Sequence, residues 1–234
     1  MKLALIGKSI QHSKSPSLYK EIIGSQVQYD LLDYSQSKDI PSLEELAKIY
    51  QGINITAPYK THFLNDVTIQ DEKVKALGSI NTISFSDTFY ATNTDVIAAE
   101  KILRRYQNQF PNLDVILLGS GSMASMLKIL FQELKISYSV KSRKNNDDMS
   151  ALDLRAEWKK ERNTLIINSC SRDFVFQGTL HPEFLFWDLN YDFKPHQNTL
   201  PSRVLSYVDG QEMLRLQAEA AANFWISTPP KLKC

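Results

Sequence analysis

Apolar positions along this chain switch between a two-residue and a three-to-four-residue spacing, and each switch marks an element. Leu3–Ile6 reads as a short strand, followed by a polar loop from Gly7 to Lys14. Ser15 as N-cap and Pro16 at the first helical position open a helix whose stripe is Leu18, Tyr19, Ile22 and Ile23, and Gly24 stops it. Tyr29–Tyr34 is a second strand, and Ser42 with Glu45 forms a capping box for a helix that buries Leu43, Leu46, Ala47 and Tyr50. Ile53 and Ile55 alternate with Asn54 and Thr56, which predicts a strand with one polar face turned outward, ended by Pro58. A helix through Asp71–Leu77 closes at Gly78, and Ile80–Phe85 and Phe89–Ala91 flank a hairpin turn at Ser86-Asp87. Thr94 or Asp95 then caps a helix carrying Ile97, Ile102, Leu103 and Tyr106.

Further along, Val115–Leu118 is an apolar run of the kind buried on both faces of a sheet. It breaks at Gly119-Ser120-Gly121-Ser122-Met123-Ala124, after which Leu127, Leu130, Phe131 and Leu134 recur at helical spacing. Strand, glycine turn and helix in this order form the phosphate-binding corner of a dinucleotide fold, although a tight turn in any α/β sheet can look the same. Gly119 allows the turn, Gly121 lets the backbone approach a pyrophosphate, and Ala124 lets helix and strand pack closely. A helix N-terminus presents unpaired N–H groups and a positive dipole end to the anion. Where NAD proteins carry an acid after the next strand (here Ser137–Val140), this chain has Lys141-Ser142-Arg143-Lys144. Arg143 can grip a 2′-phosphate with its planar fork while Lys141 or Lys144 adds charge, so NADP is expected over NAD. Leu165–Asn168, Phe184–Asp188 and Val204–Val208 continue as buried strands, and a last helix buries Met213, Leu216, Ala220, Ala221 and Phe224.

Four positions stand out for chemistry. Ser13 and Ser15 sit at a helix start just past a strand end, where hydroxyls either cap the helix or hold an anion or polyol. Lys60 lies beyond the C-terminal edge of a strand, where α/β sheets bind ligands and where a lone lysine can also be a surface charge. Gln217 falls on the buried stripe of the last helix, and a buried amide without partners costs about 1–3 kcal/mol, so it must meet backbone or ligand.

With 234 residues the chain has room for one large domain or two modest ones, and 43% hydrophobic content is ample for a core. Its 27 basic and 26 acidic residues nearly cancel, which argues against a nucleic-acid or membrane partner. Cys170 and Cys234 are too few and too distant for a disulfide framework or a zinc site, and a reducing cytoplasm is expected. His12, His62, His181 and His196 lack metal-ligand spacing, so no metal is expected. The opening apolar run is too short for a signal peptide, and no run approaches the length of a membrane span.

Ser13-Lys14-Ser15-Pro16, Asn54 to Lys60, Gly78-Ser79-Ile80-Asn81-Thr82 and Asn93-Thr94-Asp95 together closely resemble the shikimate dehydrogenase family. Leu117 to Gly121, Ile166-Ile167-Asn168 and Asp209 to Leu214 fit it as well, so the resemblance spans nearly the whole chain. It implies an α/β protein with an N-terminal substrate domain and a C-terminal Rossmann-type doubly wound parallel sheet, with a cleft between. The substrate domain is expected at residues 1–95 plus the C-terminal helix 211–234, and the NADP domain at 96–210. The implied reaction is reduction of 3-dehydroshikimate to shikimate with NADPH, on the way to aromatic amino acids and chorismate. Lys60 and Asp95 become the catalytic pair. Ser13, Ser15 and Tyr191 are expected at the substrate carboxylate, and Thr56, Asn81, Asp95 and Gln217 at the ring hydroxyls. The cofactor is assigned to Gly119, Ser120, Gly121, Ser122, Met123, Ala124, Ser142, Arg143, Lys144, Asn168 and Gly210.

Three departures from the family pattern all fall in the cofactor half. Gly121 is followed by Ser122 and the large Met123, the usual Asn-Arg-Thr/Ser is Ser142-Arg143-Lys144, and Ser169-Cys170-Ser171-Arg172 replaces the customary glycine after Asn168. The alternatives are an NAD-using quinate/shikimate dehydrogenase and a non-catalytic sensor of a shikimate-like ligand. A monomer or homodimer is expected.

Overall fold

The structure is a computed structural model and describes residues 1–145, 147–149 and 151–227. The chain divides into two compact units, Met1–Ala98 with the segment that begins at Arg215, and Ala99–Leu214.

The first unit holds a six-stranded mixed sheet in the order β2-β1-β3-β5-β6-β4. Its strands are β1 (Lys2–Gly7), β2 (Gln28–Asp33), β3 (Gly52–Ile55), β4 (Thr68–Ile69), β5 (Thr82–Phe85) and β6 (Phe89–Thr92). β1 runs parallel to β2 and β3, whereas β5 is antiparallel to both β3 and β6. Period-two alternation along β1 divides the core. Ala4 and Ile6 join Ile53, Ile55, Phe63, Val74 and Ile83 on one face, and Leu3 and Leu5 join Tyr19, Tyr29, Ala218 and Trp225 on the other.

Helices α1 (Ser15–Ile23), α2 (Leu43–Ala47) and α3 (Glu72–Leu77) connect these strands, and α4 (Thr94–Gln109) follows β6. The Ser42–Glu45 capping box forms, and Gly78 ends α3 in the left-handed conformation at φ 61. Three local expectations are corrected. The N-cap of α1 is Lys14 and not Ser15, which is already helical. Asn93 and not Thr94 or Asp95 caps α4, its Oδ1 accepting the Asp95 N–H at 3.1 Å. Asn54 does not face outward but is buried, because both faces of β3 are covered.

The second unit is a five-stranded parallel sheet in the order β11-β10-β9-β7-β8. These strands are β7 (Leu113–Leu118), β8 (Ser137–Lys141), β9 (Asn163–Asn168), β10 (Leu185–Asp188) and β11 (Ser206–Val208). Strand order reverses between β7 and β9, and in open parallel sheets ligands bind at the carboxyl ends of the strands flanking that reversal. α5 (Ser122–Glu133) follows β7 and buries Ala124, Leu127, Leu130 and Phe131. α6 (Lys194–Thr199) and α7 (Gln211–Ser227) complete the fold. The expected strand at Val204–Val208 begins only at Ser206, and Leu205 is 64% exposed rather than buried. Ile97 in α4 is likewise exposed, its neighbours Val96, Ala98 and Ala99 taking the buried positions.

The buried stripe of α7 is rotated from expectation. Met213, Ala218, Ala221, Ala222 and Trp225 are buried, whereas Leu216, Ala220 and Phe224 are only half-buried. Trp225 decides the rotation: its ring lies over Gly52, where any Cβ would collide, and its Nε1 donates to the Ile83 carbonyl at 2.9 Å. Burying such a ring is worth about 1.5–3 kcal/mol. The expected helix to residue 234 runs to Ser227, and residues 228–234 lie outside the described residues.

Candidate active site

In the first unit the chain brings together most of the side chains that the sequence singles out. β3 ends at Ile55; Thr56 follows, its N–H bonded to the Ile6 carbonyl, and after the cis Ala57–Pro58 bond the Lys60 carbonyl accepts the Ile80 N–H at 2.9 Å. Lys60 Nζ donates to Asp95 Oδ2 at 2.5 Å, with the two side chains 22% and 15% exposed. That half-covered pair can meet a ligand without being lost in bulk water. Thirty-five residues separate the partners, so only the fold joins them.

A hydrogen-bonded network borders this pair. The Thr94 N–H donates to Asn81 Oδ1 at 2.8 Å, the Thr82 hydroxyl donates to the same oxygen at 3.0 Å, and Thr94 Oγ1 donates to Gln217 Oε1 at 3.3 Å. Asn54 Nδ2 donates to Thr82 Oγ1 at 3.0 Å, and the Tyr29 hydroxyl donates to Asn54 Oδ1 at 2.7 Å. Polar groups in a low-dielectric interior are costly unless paired, and these are paired into a rigid frame. Asn54, Thr94 and Tyr29 were not singled out as site residues. A polar residue inside an otherwise apolar β run, as Asn54 is, carried the signal, but alternation alone directed it outward.

Ser13 and Ser15 meet at the start of α1. The Ser13 hydroxyl donates to Ser15 Oγ at 3.1 Å and accepts the Ser15 N–H at 3.2 Å, so the two hydroxyls lie together at the helix start, while the N-cap residue Lys14 makes no side-chain cap bond. The loop before them is held by Asp33, whose carboxylate accepts the Ser9 and Ile10 N–H groups at 2.8 and 3.0 Å. The Ser9 bond, more than any other cause, holds the Asp33 carboxyl below the usual carboxylate range. A cavity of about 520 Å³ lined by Thr68, Asp71, Asp87, Tyr90 and Phe224 lies in the same unit and shares no residue with this constellation.

In the second unit the glycine corner forms at the strand-order reversal. Gly119 takes φ +107, and a Cβ there would lie 2.8 Å from Ser169 Oγ, so the position demands glycine. Gly121 has open space where a side chain would project and is the N-cap of α5 without any side-chain cap. The first amides of α5 are thus left for an anion, with Ser122 and Ser120 beside them. Met123 is half-buried and Ala124 fully buried against the sheet. This backbone fits a dinucleotide pyrophosphate.

Past β8, Arg143 and Lys144 are exposed, but Lys141 is engaged by Glu157 at 2.9 Å. The Ser142 N–H donates to Asp147 Oδ2 at 2.6 Å. The sequence reading missed both acids, which lie beyond the basic run and return to it through turns. Ser142 is buried, and its hydroxyl lacks a partner among the described residues. Asn168 is buried and donates to Asp188, a carboxylate that also engages Asn190, His196 and Tyr207. His196 Nε2 accepts the Phe176 N–H, which leaves Nδ1 to donate to Asp188 at 2.6 Å. Cys170 beside this network is a muted thiol, pushed up to about 11 by burial. The Tyr191 carbonyl accepts from Arg172 at 2.8 Å, and its half-buried ring lies 5.9 Å from the same guanidinium. Gly210 is buried, and a Cβ there would strike the Leu189 carbonyl, so packing alone accounts for its being glycine. Among the described residues no group of His, Cys, Asp and Glu could hold a metal ion, and no helix is long and apolar enough to cross a membrane.

Residues 5–83 match the family model of the shikimate dehydrogenase substrate binding domain. A shikimate dehydrogenase (NADP(+)) of Clostridium botulinum (strain 657 / Type Ba4) is 26% identical over 249 residues, covering 94% of this chain and 95% of the relative. The crystal structure of shikimate 5-dehydrogenase from Thermus thermophilus in complex with shikimate superposes with a TM-score of 0.76 at 19% identity, covering 98% of this chain and 94% of that one. Quinate dehydrogenase from Corynebacterium glutamicum in complex with NAD gives 0.70 at 16% identity, covering 98% and 95%. The solved structures share the fold, and the family model and the curated relative both point to the shikimate dehydrogenase family.

Proposed function

We propose that this chain, related to the shikimate dehydrogenases, is an NADP-dependent member that reduces 3-dehydroshikimate to shikimate. In this reading residues 1–95 with the C-terminal helix hold the substrate, and residues 96–210 hold the cofactor. The observation that carries it is the half-covered Lys60–Asp95 pair at 2.5 Å, bordered by the Asn81–Thr94–Gln217 network.

NADPH, when bound, supplies the hydride for the ring ketone. Reduction leaves negative charge on oxygen, and Lys60 offers both a cation and a proton at that point. Asp95 keeps the amine aimed and accepts a hydrogen bond from the neighbouring ring hydroxyl. Thr56, Asn81 and Gln217 hold the remaining hydroxyls, and the bonds that Asn81 and Gln217 make to Thr94 fix those two before substrate arrives. Ser13 and Ser15 take the carboxylate, aided by the positive end of α1. Gly119 to Ala124 cradle the pyrophosphate, with Asn168 and Gly210 near the same ligand. Arg143 and Lys144, assisted by the buried Ser142 hydroxyl, take the 2′-phosphate.

The test is absorbance at the NADPH band with purified protein and shikimate plus NADP, shikimate plus NAD, and quinate with each. Rapid reduction of NADP by shikimate is expected. Faster reduction of NAD by quinate would favour the quinate reading, for which Glu157 holding Lys141 is the supporting observation. No change in any cuvette would sink the enzyme reading and favour a ligand sensor.

A further inference from the structure

Within the first unit, one buried polar atom has no hydrogen-bond partner among the described residues: the Tyr19 hydroxyl. Tyr19 is 1% exposed, its ring stacked on Tyr29 at 4.7 Å and tilted against Trp225 at 5.3 Å. Apolar packing explains the ring but not the hydroxyl. Phenylalanine would fill the same space, and an unsatisfied buried hydroxyl costs about 1–3 kcal/mol. Orphan groups of this kind are rare in folded proteins and call for an explanation.

Its position supplies one. Tyr19 stands four residues after Ser15 on α1, so the two share a helix face. Long helical side chains lean toward the helix N-terminus, which directs the phenol back over Ser15. Burial pushes the phenol far up; the nearby Asn54 amide opposes this, and the Asp95 charge adds to it. The ring stacks on Tyr29, whose hydroxyl donates to Asn54 and so joins the Asn54–Thr82–Asn81 frame, which sets the phenol between Ser15 and that frame.

We infer that the Tyr19 hydroxyl is a further substrate contact, donating a hydrogen bond to an oxygen of the ring-shaped polyol acid between the Ser13–Ser15 pair and Asp95. This rests on the shikimate dehydrogenase reading. Because neighbours seal the oxygen from water, the contact forms when one polar neighbour turns aside for the ligand. The protein alone carries the cost of the orphan, and the bound substrate relieves it.

Tyr19→Phe in the full chain tests this by deleting one oxygen. The KM for shikimate should rise about tenfold, the fold-change for one lost hydrogen bond. The KM for NADP should be unchanged, and the unfolding temperature without substrate should be equal or higher. The rise in unfolding temperature produced by shikimate should shrink. Tyr29→Phe is the contrast: it breaks an existing bond to Asn54 and should lower the unfolding temperature. An unchanged shikimate KM with an unchanged shikimate-induced shift overturns the inference, and so does a Tyr19→Phe protein that loses stability and both affinities together. If the unmodified protein neither turns over shikimate nor is stabilised by it, the functional reading itself has failed, and the Tyr19 inference falls with it.

Discussion

In the first unit the groups proposed to meet a ligand are side chains bonded to one another, whereas in the second they are mostly backbone amides at the end of a strand and the start of a helix. Lys60, Asp95, Asn81, Thr94 and Gln217 come from β3, β5, α4 and α7 or the loops beside them, and each is held by a neighbour in the set. Gly119 to Ser122 need no such neighbours, because strand register and helix geometry aim the N–H groups. Side-chain frames depend on residue identity at every member; backbone cradles depend on the absence of side chains at one or two. Changes should therefore act differently in the two units.

The largest effect is expected from Lys60→Ala, which removes the proposed proton donor and should cut turnover about 10²–10⁴-fold. Titration of NADPH should show its affinity nearly intact. Equal loss of both would make Lys60 structural and erase the contrast. Next is Asp188→Ala in the second unit, where one fully buried carboxylate engages Asn168, Asn190, His196 and Tyr207. Stranding those partners should cost about 3–5 kcal/mol, read by chemical denaturation. Gly119→Ala should cost about 1–2 kcal/mol and raise the KM for NADP while leaving the KM for shikimate alone. If shikimate KM moves as much, the cradle is not a separate device.

The smallest effect concerns Asp33, which holds the loop before Ser13. Its folded pKa is depressed by the Ser9 and Ile10 amides, so its contribution is present above the ordinary carboxylate pKa and is lost as pH falls through the folded value. Asp33→Asn should flatten the loss of thermal stability as pH falls below about 4. A parallel acid limb in both proteins would remove Asp33 from the account.

What was legible follows the same division. The Ser42–Glu45 capping box, the hairpin at Ser86-Asp87 and the Gly78 stop are local, and each formed where neighbouring residues dictated it. The Lys60–Asp95 pair was legible only through resemblance, since nothing local joins residues 35 apart. Tertiary contacts decided the rest. Periodicity on α7 could not anticipate that Trp225 would sit over Gly52 and rotate the buried face. Alternation in β3 could not reveal that α1 and α7 cover its second side and draw Asn54 inward. The Lys141–Glu157 pair joins residues 16 apart through irregular backbone, where periodicity has nothing to say.

The way α7 returns to the first sheet affects the order in which this molecule can mature. A ribosome delivers Gln217 and Trp225 only after all of Ala99–Leu214 has left the exit tunnel, so the amino-terminal sheet waits with Gly52 and the Tyr19 ring uncovered while its neighbour is already complete. A chain halted near residue 210 would carry every residue of the proposed nucleotide cradle yet lack both the cover on its first core and the Gln217 amide. Interrupted synthesis would thus yield a half-finished protein, exposed at the end that was made first.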